Sequence, residues 1–292
     1  MGLEARRAEI REAKVSILAN LVIWFTRLII GIIVGSVAIV ADALHAMSDV
    51  LTSIGVYVAG KFASKPADKE HPYGHGRIAV LAELFISVVL LLISAFIVYE
   101  AVYGVLMVEL MYDIAIYGIF FLVLTGFLKE LLARWAISLG KTYGSNLCII
   151  DGLHHRLDAL LTMGISIALY LGAMLRIILV DRVVALVIVA IISFEAVKIA
   201  KKSIDTLMEK RIPEVEKIVV EEASKHSKIL GIHDVNARDL GGYYVIEATI
   251  HLPHNLTLKE THKVAHELEE RVRKRNPEIV KLLVHIEPEG ED

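Results

Sequence analysis

A single cysteine, Cys148, stands in 292 residues. That scarcity excludes an intrachain disulfide and any zinc cluster built from several thiolates. Cys148 itself falls in an apolar run, where a thiol packs as a small hydrophobe. Excess charge is scarce too. With 31 Lys and Arg against 34 Asp and Glu, the net charge is -3, and there is no basic, aromatic-interleaved surface of the kind that binds nucleic acid. The first apolar run follows a basic start (Arg6, Arg7, Arg11, Lys14) but lacks the small-residue cleavage site of a signal peptide. It therefore reads as a retained helix.

What is abundant is apolar sequence. At 55% hydrophobic and a mean hydropathy of +0.59, the chain is too apolar for an ordinary soluble protein. Its 22% charged residues call for a soluble part beside the membrane part. Apolar runs extend from Ser16 to Gly35, Val37 to Ala59, Ala79 to Leu106, Ile114 to Leu132, Asn146 to Met174 and Val183 to Ala200. Most approach or exceed the roughly 20 residues that cross a hydrocarbon core of about 30 Å. Six spanning helices are expected. Lys and Arg collect at the N-terminus, at Lys61, Lys65, Lys69 and Arg77, at Arg134 and Lys141, and at Lys198, Lys201, Lys202, Lys210 and Arg211, whereas the alternate connections hold only Arg176 and Arg182. The positive-inside rule then puts both termini in the cytoplasm of a multi-pass protein of the cell membrane. A transmembrane domain over residues 1–208 and a cytoplasmic domain over 209–292 follow.

Two of the apolar runs carry the same polar cluster. Sliding the chain against itself aligns Gly35, Ser36, Asp42, Leu44, His45, Asp49 and Leu51 with Gly144, Ser145, Asp151, Leu153, His154, Asp158 and Leu160. In each copy the His and the second Asp are one helical turn apart on one face. Two spans separate the copies, so they cross the membrane in opposite senses, as an inverted repeat. Each pair lies about ten residues into its span, or about 15 Å at 1.5 Å per residue, which is half the thickness of the core. Transporters built from inverted repeats hold their substrate there. Two imidazoles and two carboxylates suit a tetrahedral divalent metal, while the same groups unpaired in lipid are expensive. Interhelical hydrogen bonding is the plainer alternative. Asp42 and Asp151 share the face of each His, either as acceptors that fix the imidazole or as water-facing and cap residues. Asn20 is an assisting group or an ordinary interhelical hydrogen bonder.

Between the second and third spans, a segment from Pro66 to Gly76 contains Asp68, His71 and His75, either a surface metal site with an open position or a polar turn shaped by Pro72 and Gly74. From Ile212 the pattern turns soluble. Glu214 to Lys228 reads as an amphipathic helix, Ile232 to Leu240 and Tyr243 to Leu252 as a hairpin turning at Gly241 and Gly242, and Val280 to Glu287 as a third strand. Thr257 to Asn276 is a helix, with Thr257 and Glu260 spaced as a capping box. The order αββαβ makes a small α+β layer. Seven of the twelve histidines fall here: His226, His233, His251, His254, His262, His266 and His285. His251, His285 and Glu287, off the core face, and His233, at the start of the partner strand, are candidates to converge on one or two zinc ions. His262 and His266, one turn apart, are either ligands or part of a solvated helix face.

These residues together resemble the cation diffusion facilitator family, in particular its prokaryotic zinc exporters. The strongest marks are the paired clusters, the segment from Pro66 to Gly76, Asp181 opening the sixth span, and the histidine-bearing tail. The resemblance implies a transport site of His45, Asp49, His154 and Asp158, a loop site of Asp68, His71 and His75, and a tail site of His233, His251, His262, His285 and Glu287. It also implies a homodimer whose tail has a ferredoxin-like, metallochaperone-like fold. Some zinc exporters carry Asp where this chain has His45, and often Asp where it has Glu287.

Imidazole must lose its proton to hold a metal, and a free His titrates near 6.5, so metal and protons compete for the same atoms. The expectation is a secondary transporter rather than an enzyme: a proton-coupled antiporter that moves a divalent cation, zinc first and ferrous iron, cobalt or cadmium next, out of the cytoplasm. Arg77 and Glu209 are expected to pair. An intramembrane metalloprotease needs a Glu beside its ligands, as in His-Glu-x-x-His, and neither cluster has one. A membrane metal sensor would account for the tail but not for ligands at the midplane.

Overall fold

The computed structural model describes residues 3–63, 65, 67–104 and 112–290, with the side chains of 3–7, 52–63 and 112–114 left aside. Pro66 and Leu106 lie outside the described residues, as do the side chains of Arg6, Arg7, Ala59, Lys61 and Ile114. Six long helices come first: α1 Leu3–Val34, α2 Val37–Ala63, α3 Arg77–Tyr103, α4 Tyr112–Tyr143, α5 Asn146–Leu175 and α6 Ile178–Leu207. Among the described residues five of them, all but α2, are long and apolar enough to cross a membrane. α4 and α6 run well beyond the apolar stretches that announce them. Their ends add residues such as Lys141, Lys201 and Lys202, whose long stems let a charged head reach the interface while the helix continues.

The chain divides into two compact units. The first, Met1–Ile54 with Ile86–Lys198, holds the intramembrane polar residues. Its apolar core joins Val37, Ile39 and Ala41 of α2 to Leu90 and Ile97 of α3, Ile119 and Leu122 of α4, Ile165 and Leu169 of α5, and Ile188 and Ile192 of α6. The internal repeat is visible in the backbone. Gly35 and Gly144 both adopt a left-handed conformation, at φ 74° and 71°, the conformation that glycine takes at a helix C-terminus without steric cost. The next residue in each copy donates back to the helix just ended, Ser36 N to Gly31 O at 3.0 Å and Ser145 N to Gly140 O at 2.9 Å. The two serine hydroxyls then cap the following helix, accepting from Ile39 N at 3.1 Å and from Cys148 N at 3.3 Å. Each hydroxyl also donates to a carboxylate of another helix, Ser36 to Asp181 and Ser145 to Glu9 at 2.7 Å.

α4 and α5 pack closely. At Gly152 an added Cβ would lie 2.9 Å from the carbonyl oxygen of Ala133 and 2.7 Å from the Ile137 side chain.

The second unit, Gly55–Phe85 with Ile199–Asp292, contains the α2 to α3 connection and the tail. The tail runs α7 Pro213–Ser224, β1 Gly231–Asp239, β2 Tyr244–Leu252, α8 Leu258–Arg275 and β3 Ile279–Pro288. β2 is central, antiparallel to β1 and parallel to β3. Val219 and Ala223 of α7 and Val264, Leu268 and Val272 of α8 pack with Ile246, Ala248, Ile250 and Leu252 in its core. The Thr257 and Glu260 capping box forms as expected. α7 ends four residues before the expected Lys228 because His226 leaves the helix to meet Glu267 of α8 at 3.0 Å. The connection docks on the hairpin: Tyr243 Oη donates to Tyr73 O at 2.7 Å and accepts from Gly76 N at 3.3 Å.

Gly152→Leu is expected to force α4 from α5 and to lower the thermal unfolding midpoint in detergent by several degrees. The overpacking cost behind this is about 1–3 kcal/mol. An unchanged midpoint would show that the close approach bears no load.

Candidate metal centre

α2 contributes His45 and Asp49, and α5 contributes His154 and Asp158, each pair one turn apart. The structure brings all four together. Ligand atoms of Asp49, His154 and Asp158 lie within 4.8 Å of one another. His154 Nε2 is 3.7 Å from Asp49 Oδ1 and 3.8 Å from Asp158 Oδ2, and His45 Nε2 is 3.6 Å from Asp158 Oδ1. His45 is 5% exposed, and among the described residues neither of its ring nitrogens has a hydrogen-bond partner. A buried imidazole left in that state is costly, and one standing 3.6 Å from the Asp158 carboxylate has the donor type of a divalent-metal ligand.

Sequence reasoning missed the group that now joins the carboxylates. Lys129 of α4, 1% exposed, places Nζ 2.7 Å from Asp158 Oδ2 and 3.3 Å from Asp49 Oδ2. Its ammonium occupies a cation's place between them. The signal was present, since a lysine deep in the Ile114 to Leu132 run violates the apolar pattern and needs a partner.

A second correction concerns Asp42 and Asp151. Asp42 pairs with Arg27 of α1 at 2.6 Å, and Arg27 also donates to Thr125 at 3.0 Å and Thr162 at 3.2 Å. Asp151 pairs with the neighbouring imidazole, His155, at 3.4 Å. Neither carboxylate hydrogen-bonds the imidazole it was expected to fix. A guanidinium buried in lipid surroundings attracts the nearest carboxylate more strongly than a neutral ring does. Asp181, one of the marks of resemblance, accepts from Ser36 Oγ and from Val37 N, the latter at 2.9 Å, and so anchors the start of α2. Asn20 is buried, and its side-chain oxygen is without a partner among the described residues.

The loop residues gather too. Asp68 accepts from the backbone of His71 at 2.7 Å and of Glu70 at 2.9 Å, and lies 3.6 Å from His71 Nδ1 and 3.5 Å from His75 Nε2. The His71 backbone N–H, with that of Glu70, holds the Asp68 carboxyl below its usual range. In the tail, His233, His251 and Glu287 converge within 4.8 Å on the sheet face opposite the helices, where His251 pairs with Glu287 in the β2 and β3 register. Solvent exclusion disfavours a charged His233, but hydrogen bonds to Asp234 and Glu287 outweigh it and raise its pKa. His285 reaches Glu287 at 3.7 Å. His262 does not join them: on α8 it stacks on His266, with ring centroids 6.4 Å apart.

A helical membrane protein with carboxylates and imidazoles gathered between its helices belongs to the ion-handling class. Comparison with known proteins narrows the class. Residues 13–208 match the cation efflux transmembrane domain and residues 212–289 the cation efflux protein cytoplasmic domain. A manganese efflux system protein, MneP, of Bacillus subtilis is 27% identical over 304 aligned residues, spanning 100% of both chains. The uncharacterized transporter MJ0449 of Methanocaldococcus jannaschii is 32% identical over 256 residues, 85% of this chain and 88% of its own. The metal-bound C-terminal domain of the CzcD transporter from Thermotoga maritima aligns at a TM-score of 0.27 and 22% identity, over 27% of this chain and 92% of that one. The chain belongs to the cation diffusion facilitator family of metal efflux transporters.

Arg77 and Glu209, expected to pair, do so within the second unit at 2.7 Å, with Arg238 3.5 Å from the same carboxylate. The bond to Arg77 depresses the pKa of Glu209, so the pair persists through neutral pH and is lost only as pH falls through the carboxylate's lowered range. Arg77→Glu and Glu209→Arg are each expected to reduce metal flux, and the double reversal to restore it. Unaltered flux in both single variants would remove the pair from any role in transport.

Proposed function

We propose that this chain is a proton-coupled exporter that carries a divalent transition metal, zinc foremost, from the cytoplasm across the cell membrane. His45, Asp49, His154 and Asp158 hold the ion in transit. The observation that carries this reading is the convergence of two imidazoles and two carboxylates from the paired repeats. In the proposed arrangement all six helices of a 1–208 domain span the bilayer, α2 and α5 run in opposite senses, and the 209–292 domain lies with both termini in the cytoplasm. There it pairs with its twin in a homodimer. The basic connections support that orientation. The loop site and the tail site, the latter drawn from His233, His251, His285 and Glu287, are proposed to bind further metal.

Lys129 gives the cycle a physical step. An ammonium and a divalent ion cannot share the same carboxylate oxygens, so the metal displaces Lys129 on binding, and Lys129 returns when the metal leaves. Inward-moving protons compete with metal at the imidazoles on the outer side. Paired imidazoles favour zinc over harder ions. Manganese is the second reading, supported by MneP and by a second B. subtilis manganese efflux system protein, MneS, 27% identical over 280 residues. Competitive uptake of zinc, manganese, iron, cobalt and cadmium into proteoliposomes, with and without a pH gradient, separates these readings.

In that assay Asp49→Ala and Asp158→Ala are each expected to abolish flux while tail metal binding survives. Full flux in either variant contradicts the site. Lys129→Met is expected to tighten metal binding by about tenfold, or about 1.4 kcal/mol, and to slow turnover because release loses its competitor. Weaker binding in Lys129→Met would show that Lys129 supports the metal instead of displacing it.

A further inference from the structure

A second cluster of cation-binding groups lies beside the first. His155 of α5 is 2% exposed, and Glu12 of α1 is 5% exposed. His155 Nε2 stands 3.4 Å from Asp151 Oδ2 and 3.9 Å from Glu12 Oε1, and ligand atoms of the three residues lie within 4.8 Å of one another. Ser16 adds a hydroxyl, donating to Glu12 Oε1 at 2.6 Å and lying 3.0 Å from His155 Nε2. Of its members only Asp151 was marked by the sequence, as part of the repeat and not as a metal ligand.

Its charge balance sets it apart. Asp42 has Arg27, and Asp49 and Asp158 have Lys129. Among the described residues Glu12 and Asp151 have no Lys or Arg partner, and one imidazole stands between two carboxylates. Two carboxylates this close in a mostly buried position repel unless a proton or a cation joins them, and a divalent cation is one way to meet that need. An imidazole nitrogen, two carboxylates and a hydroxyl form a mixed nitrogen and oxygen set suited to a divalent transition metal.

Its position supplies the role. Asp151 and His155 occupy the stripe of α5 next to that of His154 and Asp158, displaced by three residues, or about 4.5 Å along the axis at 1.5 Å per residue, toward the N-terminus of α5. The rings of His154 and His155 have centroids 6.3 Å apart. Under the orientation proposed above, on which this inference rests, the displacement is toward the cytoplasm. We infer that Glu12, Asp151 and His155 form a second divalent-cation site that takes up metal from the cytoplasmic side and passes it one turn along α5 to the transport site.

The test counts zinc bound per protomer by equilibrium dialysis and elemental analysis of the full-length protein in nanodiscs. Ions at the loop and the tail cancel when counts are compared. Asp49→Asn with Asp158→Asn is expected to remove one ion relative to the parent, and a full parental count there would count against the transport site alone. Adding Asp151→Asn is expected to remove one more. The Asp151 side chain is 39% exposed, so this variant disturbs packing little, and Glu12→Gln provides a second variant that removes the same ion. Loss of the ion in Asp151→Asn supports the loading site. Its retention in Asp151→Asn overturns it, whatever happens to the transport site.

Discussion

Two aspartates, Asp49 and Asp158, face one another across a lysine ammonium inside an apolar helical bundle, and the rest of the membrane unit is arranged to make that tolerable. Each ionisable side chain at the centre of a spanning helix costs about 2.5–3.5 kcal/mol on insertion. Unpaired, the three groups would drive their helices out of register or into contact with water. Paired, they draw α2, α4 and α5 onto one point. The same logic fixes Arg27 on Asp42, with Thr125 and Thr162 taking further donors of the guanidinium. Charge pairing in this bundle is thus a packing device as well as a chemical one. In the proposed cycle, a divalent ion arriving between Asp49 and Asp158 would replace one cation by another without exposing the carboxylates to lipid.

The repeated turn explains how the His and Asp pairs of two distant segments come to lie at matched positions along their helices. In both copies a left-handed glycine ends one helix and a serine begins the next, with the same backbone bond and the same hydroxyl cap. The His and Asp pair follows at a fixed number of residues, so its position along the helix is set by the turn. Asp181 and Glu9 tie the two serines to further helices, which holds each turn in place. The sequence repeat therefore encodes a position along the helix as well as the ligand types.

Much of this was legible from residue order. Periodicity located the helices and the tail strands, the internal repeat singled out His45, Asp49, His154 and Asp158, and alternation put His251, His285 and Glu287 off the core face. What failed did so for identifiable reasons. Assigning Asp42 and Asp151 to their sequence neighbours His45 and His154 ignored competition from groups distant in sequence, Arg27 for the first and Glu12 with His155 for the second. Lys129 and Arg27 were hidden because hydropathy averages a lone charge into its apolar run. His262 was placed by resemblance alone, and the path of α8 carries it to His266 instead. Helix ends were misjudged where charged residues continue a helix past its apolar stretch, as in α4 and α6.

The most direct test of the central claim is anomalous X-ray scattering from crystals of the full-length protein soaked in zinc. The expected result is a peak bounded by His45, Asp49, His154 and Asp158, with Lys129 moved away from both carboxylates. Occupied loop and tail sites with no peak at that position, and Lys129 still bridging Asp49 and Asp158, would contradict it.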